Sequence, residues 1–307
     1  MTVSKLYKHY NKLNKYLKPL FYAEFTPNNI YQCYVIAAFS KSFEFNLLVN
    51  KNSDSKNSFF YTPSLRGICE DIITLQFLKK HKALDKDKLL QSYTMIQLVD
   101  MVETQTKFFS KNHKQQIIFD ITDKETIRSD NTITLKEQWA KIGMNKDKLF
   151  PSVSHMAVDG GLVELYDYLY SATSDMVHFS PHNLMRNGWS KSDSPTTHYF
   201  STENFSKYYS LFNEFYGGYL FVKFTTIFKK ELKLSHNVVE LIKILEGDLF
   251  SDSRWPELIT FEEMNVPEAE SIRLINSIRK LRDLGKKLNI SDEEVEEGIK
   301  YFLKKIK

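Results

Sequence analysis

Residues 166–189 read YDYLYSATSDMVHFSPHNLMRNGW, and the way this stretch is parsed decides how the chain folds. Placed on a helix at about 100° per residue, Leu162, Leu165, Tyr166, Leu169, Ala172, Met176 and Val177 share one side. Asp167, Ser171, Ser174 and His178 share the other. Side chains four apart meet along a helix surface, so Ser174 and His178 are neighbours. After Glu164 this face holds neither Lys nor Glu. Small hydroxyls beside a histidine suit a face that meets another helix or a ligand. Pro181 removes a backbone donor and is expected to end or kink the helix. His178 then sits near a helix C-terminus, where the dipole favours an imidazolium. Two readings stand side by side. His178 is either a cap or hydrogen-bonded structural residue, or the acid/base of a site.

The rest of the chain supports a helical setting. It has 307 residues with 42% hydrophobic residues, mean hydropathy −0.39, and only 10 glycines and 8 prolines. That composition suits long helices rather than many hairpins. The sequence shows no long uncharged apolar run and no signal-peptide pattern, so no membrane role is expected. Cys33 and Cys69 are isolated and no CxxC occurs. A disulfide framework is not expected, and a reducing cytoplasm is the natural compartment. The net charge of +4 permits contact with nucleic acid without demanding it.

Taken in order, residues 2–18 pattern as an amphipathic helix, with Leu6, Tyr10, Leu13 and Leu17 opposite Lys5, Lys8, Lys12 and Lys15. That lysine face is a solvated surface or a nucleic-acid or membrane contact. Thr26-Pro27 and Thr62-Pro63 read as helix starts, opening an apolar helix over about 27–48 and a second over 64–81. Residues 50–58 read as a loop. On the second helix, Arg66 lies inside the apolar sector and Glu70 follows four residues later. A charge there needs a partner. The pair is an internal ion pair or part of a site.

A helix follows over 85–109, then a mixed polar stretch to 134, a short helix over 135–142, and a loop over 146–154. Asp159-Gly160-Gly161 reads as the start of the central helix. Residues 190–203, with His198, form a polar loop that is either a lid or a plain connection. Residues 204–230 form an aromatic helix in which Gly217-Gly218 marks close approach of another helix. A short helix is expected at 235–245 and a charged one at 267–288. Ser291 to Glu294 reads as a capping box that opens the last helix. The expected architecture is all-α. A multi-helix bundle spans residues 1–232, and a small C-terminal helical region spans 233–307.

No phosphate-cradling glycine loop, HExxH or GxSxG occurs. His178 and His182 are one turn apart and, with His155 and Asp175, are conceivable metal ligands, but Pro181 interrupts the turn. Neither a metal nor a cofactor is expected.

Two stretches together carry a resemblance. The first is SLRGICEDIITLQFL at 64–78, with its R-x-x-x-E spacing. The second is the Tyr166, Tyr170, Ser174, His178 series, followed by Phe-Ser-Pro. The chain resembles an uncharacterised family of bacterial all-helical proteins found near mobile elements and phage defence. That family in turn is similar to HEPN domains, helical bundles that often act as ribonucleases or nucleotide-binding toxins. The likeness covers about residues 30–230. It implies that Arg66 and Glu70 face Ser174 and His178, with Arg66 clamping phosphate, Glu70 orienting it and His178 moving the proton. Tyr170, His182 and Arg186 would line the ligand. The implied role is an effector of a defence or stress system acting on RNA or another phosphate-bearing ligand, with a metal-independent ribonuclease and a homodimer among the forms the resemblance implies. The HEPN ribonuclease signature, an arginine followed four to six residues later by a histidine, is absent, since His178 precedes Arg186 and no histidine closely follows Arg128. The alternative is a non-catalytic scaffold with a structural polar centre and C-terminal helices that recruit a protein partner.

Overall fold

The computed structural model describes residues 3–112, 120–144, 149–188, 199–251, 255–260, 270–288 and 290–306, without the side chains of 270–277, 279 and 302–306. The loop with His198 and the expected helix start at Pro267 therefore lie outside the described residues, except for residues 199–203. The chain is an all-α multi-helix bundle, and no strand occurs among the described residues.

The helices are α1 Tyr7–Leu17, α2 Ile30–Lys51, α3 Ser58–Lys80, α4 Lys86–Asn112, α5 Lys124–Ala140 and α6 Val153–Gly160. A π-helical turn, Leu165–Tyr170, runs into the short α7, Ser171–Ser174. Then come α8 Pro181–Asn187, α9 Ser206–Phe228, α10 His236–Leu249, α11 Glu270–Lys287 and α12 Asp292–Ile306.

The core is built by α2, α3 and α9, whose apolar residues occupy most of the helix circumference, as buried helices require. Phe39 of α2 stacks on Phe221 of α9 at 5.7 Å, and Tyr10 of α1 meets the edge of Phe221 at 5.6 Å. Each fully buried side chain of this size contributes on the order of 1.5–3 kcal/mol. The two glycines of α9 allow the close approach their pairing implied. A Cβ at Gly217 would lie 2.8 Å from the Phe45 ring and 2.9 Å from Asn46 Oδ1. That amide is held in turn by the Tyr10 hydroxyl, which donates to Asn46 Oδ1, while Asn46 Nδ2 donates to the Gly217 carbonyl.

Several helix ends differ from the sequence expectation. Thr26-Pro27 opens a turn, closed by Thr26 N donating to Asn29 Oδ1, and α2 begins only at Ile30. Helix α3 begins at Ser58, six residues before the expected start, and Pro63 lies inside it. Helix α5 begins at Lys124 and packs along α4, with Arg128 bonded to Asp100 and Glu103. The stretch expected to be a loop up to Ser154 contains the start of α6, capped by Ser152. Gly161, at φ 72°, ends α6 rather than starting the next helix, the usual task of a glycine just past a helix end.

The compact units divide between Pro256 and Glu257, not between 232 and 233. Helix α10 buries Val238, Ile242, Leu245 and Leu249 in the main core, and Asp248 pairs with His9 of α1 at 2.6 Å. The second unit is the α11/α12 pair. Ser291 and Glu294 exchange the expected capping-box bonds, and Arg282 pairs with Glu296.

Candidate functional site

Two segments about a hundred residues apart meet around Arg66. Helix α3 projects the guanidinium toward the π-helical turn and α7. There Arg66 Nε donates to Ser174 Oγ at 3.1 Å and Nη2 donates to the Tyr170 hydroxyl at 2.7 Å. The guanidinium carbon also lies 4.8 Å from the centre of the Tyr170 ring, a cation–π contact. Glu70, one turn on, approaches Nη1 at 3.7 Å. The Arg66 side chain keeps 26% of its exposure and Glu70 keeps 38%. The charge in the apolar sector of α3 thus emerges at the rim of the core with polar partners, as burial cost demands.

The π-helical turn sets this meeting point. Ser171 N and Oγ both donate to the Tyr166 carbonyl, five residues back. Single π turns inside α-helices recur at functional sites. Here the turn stacks Tyr166 on Tyr170 at 5.0 Å and 20°, so the tyrosine that receives Arg66 is held from behind. Ser174 Oγ donates to the Tyr170 carbonyl at 2.9 Å, which leaves its oxygen free to accept from Arg66. Cys69 is sealed beneath, its thiol 3.7 Å from the Leu165 carbonyl. Burial pushes that thiol far above its ordinary range, which removes it as a nucleophile.

The remaining expected residues are placed otherwise. The helix does not run on to His178: α7 ends at Ser174 and residues 175–177 form turns. His178 is exposed, and its backbone N–H bonds the Ser174 carbonyl at 3.1 Å. Its imidazole is not among the partners of Arg66. Pro181 does not merely end a helix but starts α8, with Ser180 as N-cap accepting from Asn183 N. Asn183 Nδ2 donates back to the Asp175 carbonyl at 2.7 Å, tying α8 to the end of α7. His182 is exposed on α8.

Arg186 is the largest departure. It is 2% exposed, with its guanidinium 4.7, 5.5 and 5.8 Å from the rings of Tyr208, Phe205 and Tyr209. It also bonds the Tyr208 hydroxyl. It joins α8 to α9 and does not line a ligand surface with Arg66. A polar cluster that sequence reading missed lies at the far end of α3, where Lys80 and His81 both hold Asp159 of α6. Its only sequence signal was a Lys-His pair at a helix end. Among the described residues, no three His, Cys, Asp or Glu side chains are arranged to hold a metal, and no helix is long and apolar enough to cross a membrane.

A helical bundle with a half-open arginine, a carboxylate and two hydroxyls between distant helices is the class of protein the fold and this cluster define. The model of a family of unknown function, DUF5677, matches residues 40–195, just over half of the chain, and the chain belongs to that family. The matched span holds both Arg66–Glu70 and Tyr170–Ser174. No curated protein and no solved structure matches the chain.

Proposed function

We propose that the protein is an HEPN-like helical effector of a bacterial defence or stress-response system, with a phosphate-binding centre at Arg66, Glu70, Tyr170 and Ser174, and that RNA is its ligand. One observation carries the reading. The close partners of the Arg66 guanidinium are neutral hydroxyls at 2.7 and 3.1 Å, while the one carboxylate stands off at 3.7 Å. A cation held by neutral oxygens keeps its appetite for an anion, and the same hydroxyls are able to turn as donors toward phosphate. His178, exposed one turn past Ser174, is accessible to a bound backbone. In the cleavage reading, neutral His178 takes the proton of an attacking 2′-hydroxyl. The new P–O2′ bond forms as the P–O5′ bond breaks, and the imidazolium returns the proton to the leaving 5′-oxygen. Arg66 offsets the charge gathering on the phosphoryl oxygens.

The test uses the full chain, fluorescent single-stranded RNA, and the variants Arg66→Ala and His178→Ala. Arg66→Ala is expected to lose RNA binding. His178→Ala should keep binding and the melting temperature while losing cleavage at least about a hundredfold. Unchanged binding in Arg66→Ala would overturn the reading.

A second reading rests on the direction of the same bonds. Arg66 spans from α3 to the π turn and α7, so it also locks two elements together, as in a non-catalytic scaffold. An Arg66→Ala variant that unfolds, in a protein whose native form binds no RNA, decides for the scaffold.

A further inference from the structure

The far end of α3 carries a polar cluster of its own, built on Lys80, His81 and Asp159. His81 follows Arg66 by fifteen residues, about 22 Å at 1.5 Å per residue. Here a cavity of about 420 Å³ opens, its lining including His81, Ile142, Met144, Pro151, His155 and Asp159. That volume falls within the range of small-molecule sites, about 300–1,000 Å³, and its make-up matches theirs: an apolar lining with a few convergent polar groups.

The polar groups are ordered by α6. His155 and Asp159 are four residues apart and therefore share a face of that helix. Asp159 is already balanced. Lys80 Nζ meets its Oδ1 at 2.7 Å, and His81 Nε2 bonds its Oδ2. The Lys80 hydrogen bond, with a further contribution from His81, holds the carboxyl below the usual carboxylate range. The Asp159 charge is thus spent on the protein's own cations. His155 is exposed, and its imidazole has no side-chain partner among the described residues. What the cavity still offers a ligand is donor capacity on the His155 imidazole, beside the apolar surface of Ile142, Met144 and Pro151.

We propose that this cavity binds a small organic anion, with an aromatic or branched apolar body seated against Ile142, Met144 and Pro151 and a single carboxylate held by His155. Three features exclude the neighbouring chemistries. A bare inorganic anion leaves the apolar lining wet. A cation meets the His155 imidazole and a carboxylate, Asp159, already paired with Lys80 and His81. A long chain overfills about 420 Å³.

The experiment titrates benzoate and indole-3-carboxylate, their neutral amides, and inorganic phosphate into the full chain at about pH 6. Histidine ring signals are followed by NMR and affinity by calorimetry. The acids are expected to bind and to move the ring signals of His81 and His155. The amides should bind at least about tenfold more weakly, a difference of about 1.4 kcal/mol, and inorganic phosphate should not compete. His155→Glu, at an exposed position, should keep the melting temperature and abolish acid binding. Arg66→Ala should leave acid binding unchanged, which separates this site from the phosphate centre. Absence of acid binding, equal affinity for acid and amide, competition by inorganic phosphate, or indifference to His155→Glu would each overturn the proposal.

Discussion

Arg66 and Arg186 bring the same guanidinium into opposite settings. Arg186 is closed in by three aromatic rings and bonded to a phenol, with 2% of its surface left. Arg66 sits over one ring, bonds two hydroxyls, and keeps a quarter of its side chain open. Weakly hydrated and planar, guanidinium tolerates either home. The difference teaches that burial, not charge, separates an arginine that holds helices together from one that remains available to a ligand.

The sharpest way to break this comparison is Arg186→Ala. It empties a space among Phe205, Tyr208 and Tyr209 and strips the Tyr208 hydroxyl of its donor. The expected loss is about 2–5 kcal/mol, read by urea denaturation, and a loss below about 1 kcal/mol would put the two arginines in one class. Arg66→Ala should cost less, about 1–3 kcal/mol for its charged hydrogen bonds, while RNA affinity falls out of proportion to stability. Glu70→Gln removes the stand-off carboxylate. We expect RNA affinity to rise a few-fold in anisotropy titrations, with stability changed by no more than about 0.5 kcal/mol, since half-exposed ion pairs contribute little.

The smallest effect tests the same lesson on an acid. Burial on α9 pushes the Glu214 carboxyl above its ordinary range, only partly offset by hydrogen bonds from Ser53, Ser210 and Ser4. A folded pKa raised above the unfolded one gives stability that is present below the unfolded value, about 4.3, and lost as pH rises through the folded value. Glu214→Gln is therefore expected to raise the melting temperature slightly at neutral pH and to lose that advantage in acid. Asp159 carries the opposite sign. Its lowered pKa gives stability above the ordinary carboxylate value that is lost as pH falls through the folded one.

The sequence made much of the helical architecture readable because the chain's apolar residues recur at helical spacing. Tyr10, Leu13 and Leu17 of α1 are buried as their spacing requires, and the Ser291 capping box forms. The burden on Arg66 was legible too, since a cation in an apolar sector needs partners. Which hydroxyls answer it is a tertiary fact that spacing along one helix does not carry; the resemblance implied Ser174, which bonds Arg66, and His178, which is not among its partners. Helix ends were less legible. Prolines at 27 and 63 suggest helix starts, yet α2 begins at Ile30 and α3 at Ser58, and Ser180-Pro181 begins a helix as well as following one. Helix α10 looked like the start of an appendage because the polar turn before it mimics a linker, but its four buried aliphatic residues belong to the core. The cavity near His81 was not legible at all, because its lining comes from three separate stretches of the chain.

The π-helical turn has a consequence for how such a centre is inherited. Removing a single residue from Leu165–Tyr170, such as the exposed Asp167, would let the backbone relax toward ordinary α geometry. Ser174 would then swing by about 100° around the axis, away from Arg66. The arginine, glutamate, serine and histidine would all survive in the spelling of such a chain, yet their meeting place would be gone. What defines the centre is a residue count as much as an alphabet, and a relative should be judged first by whether it keeps the extra residue in that turn.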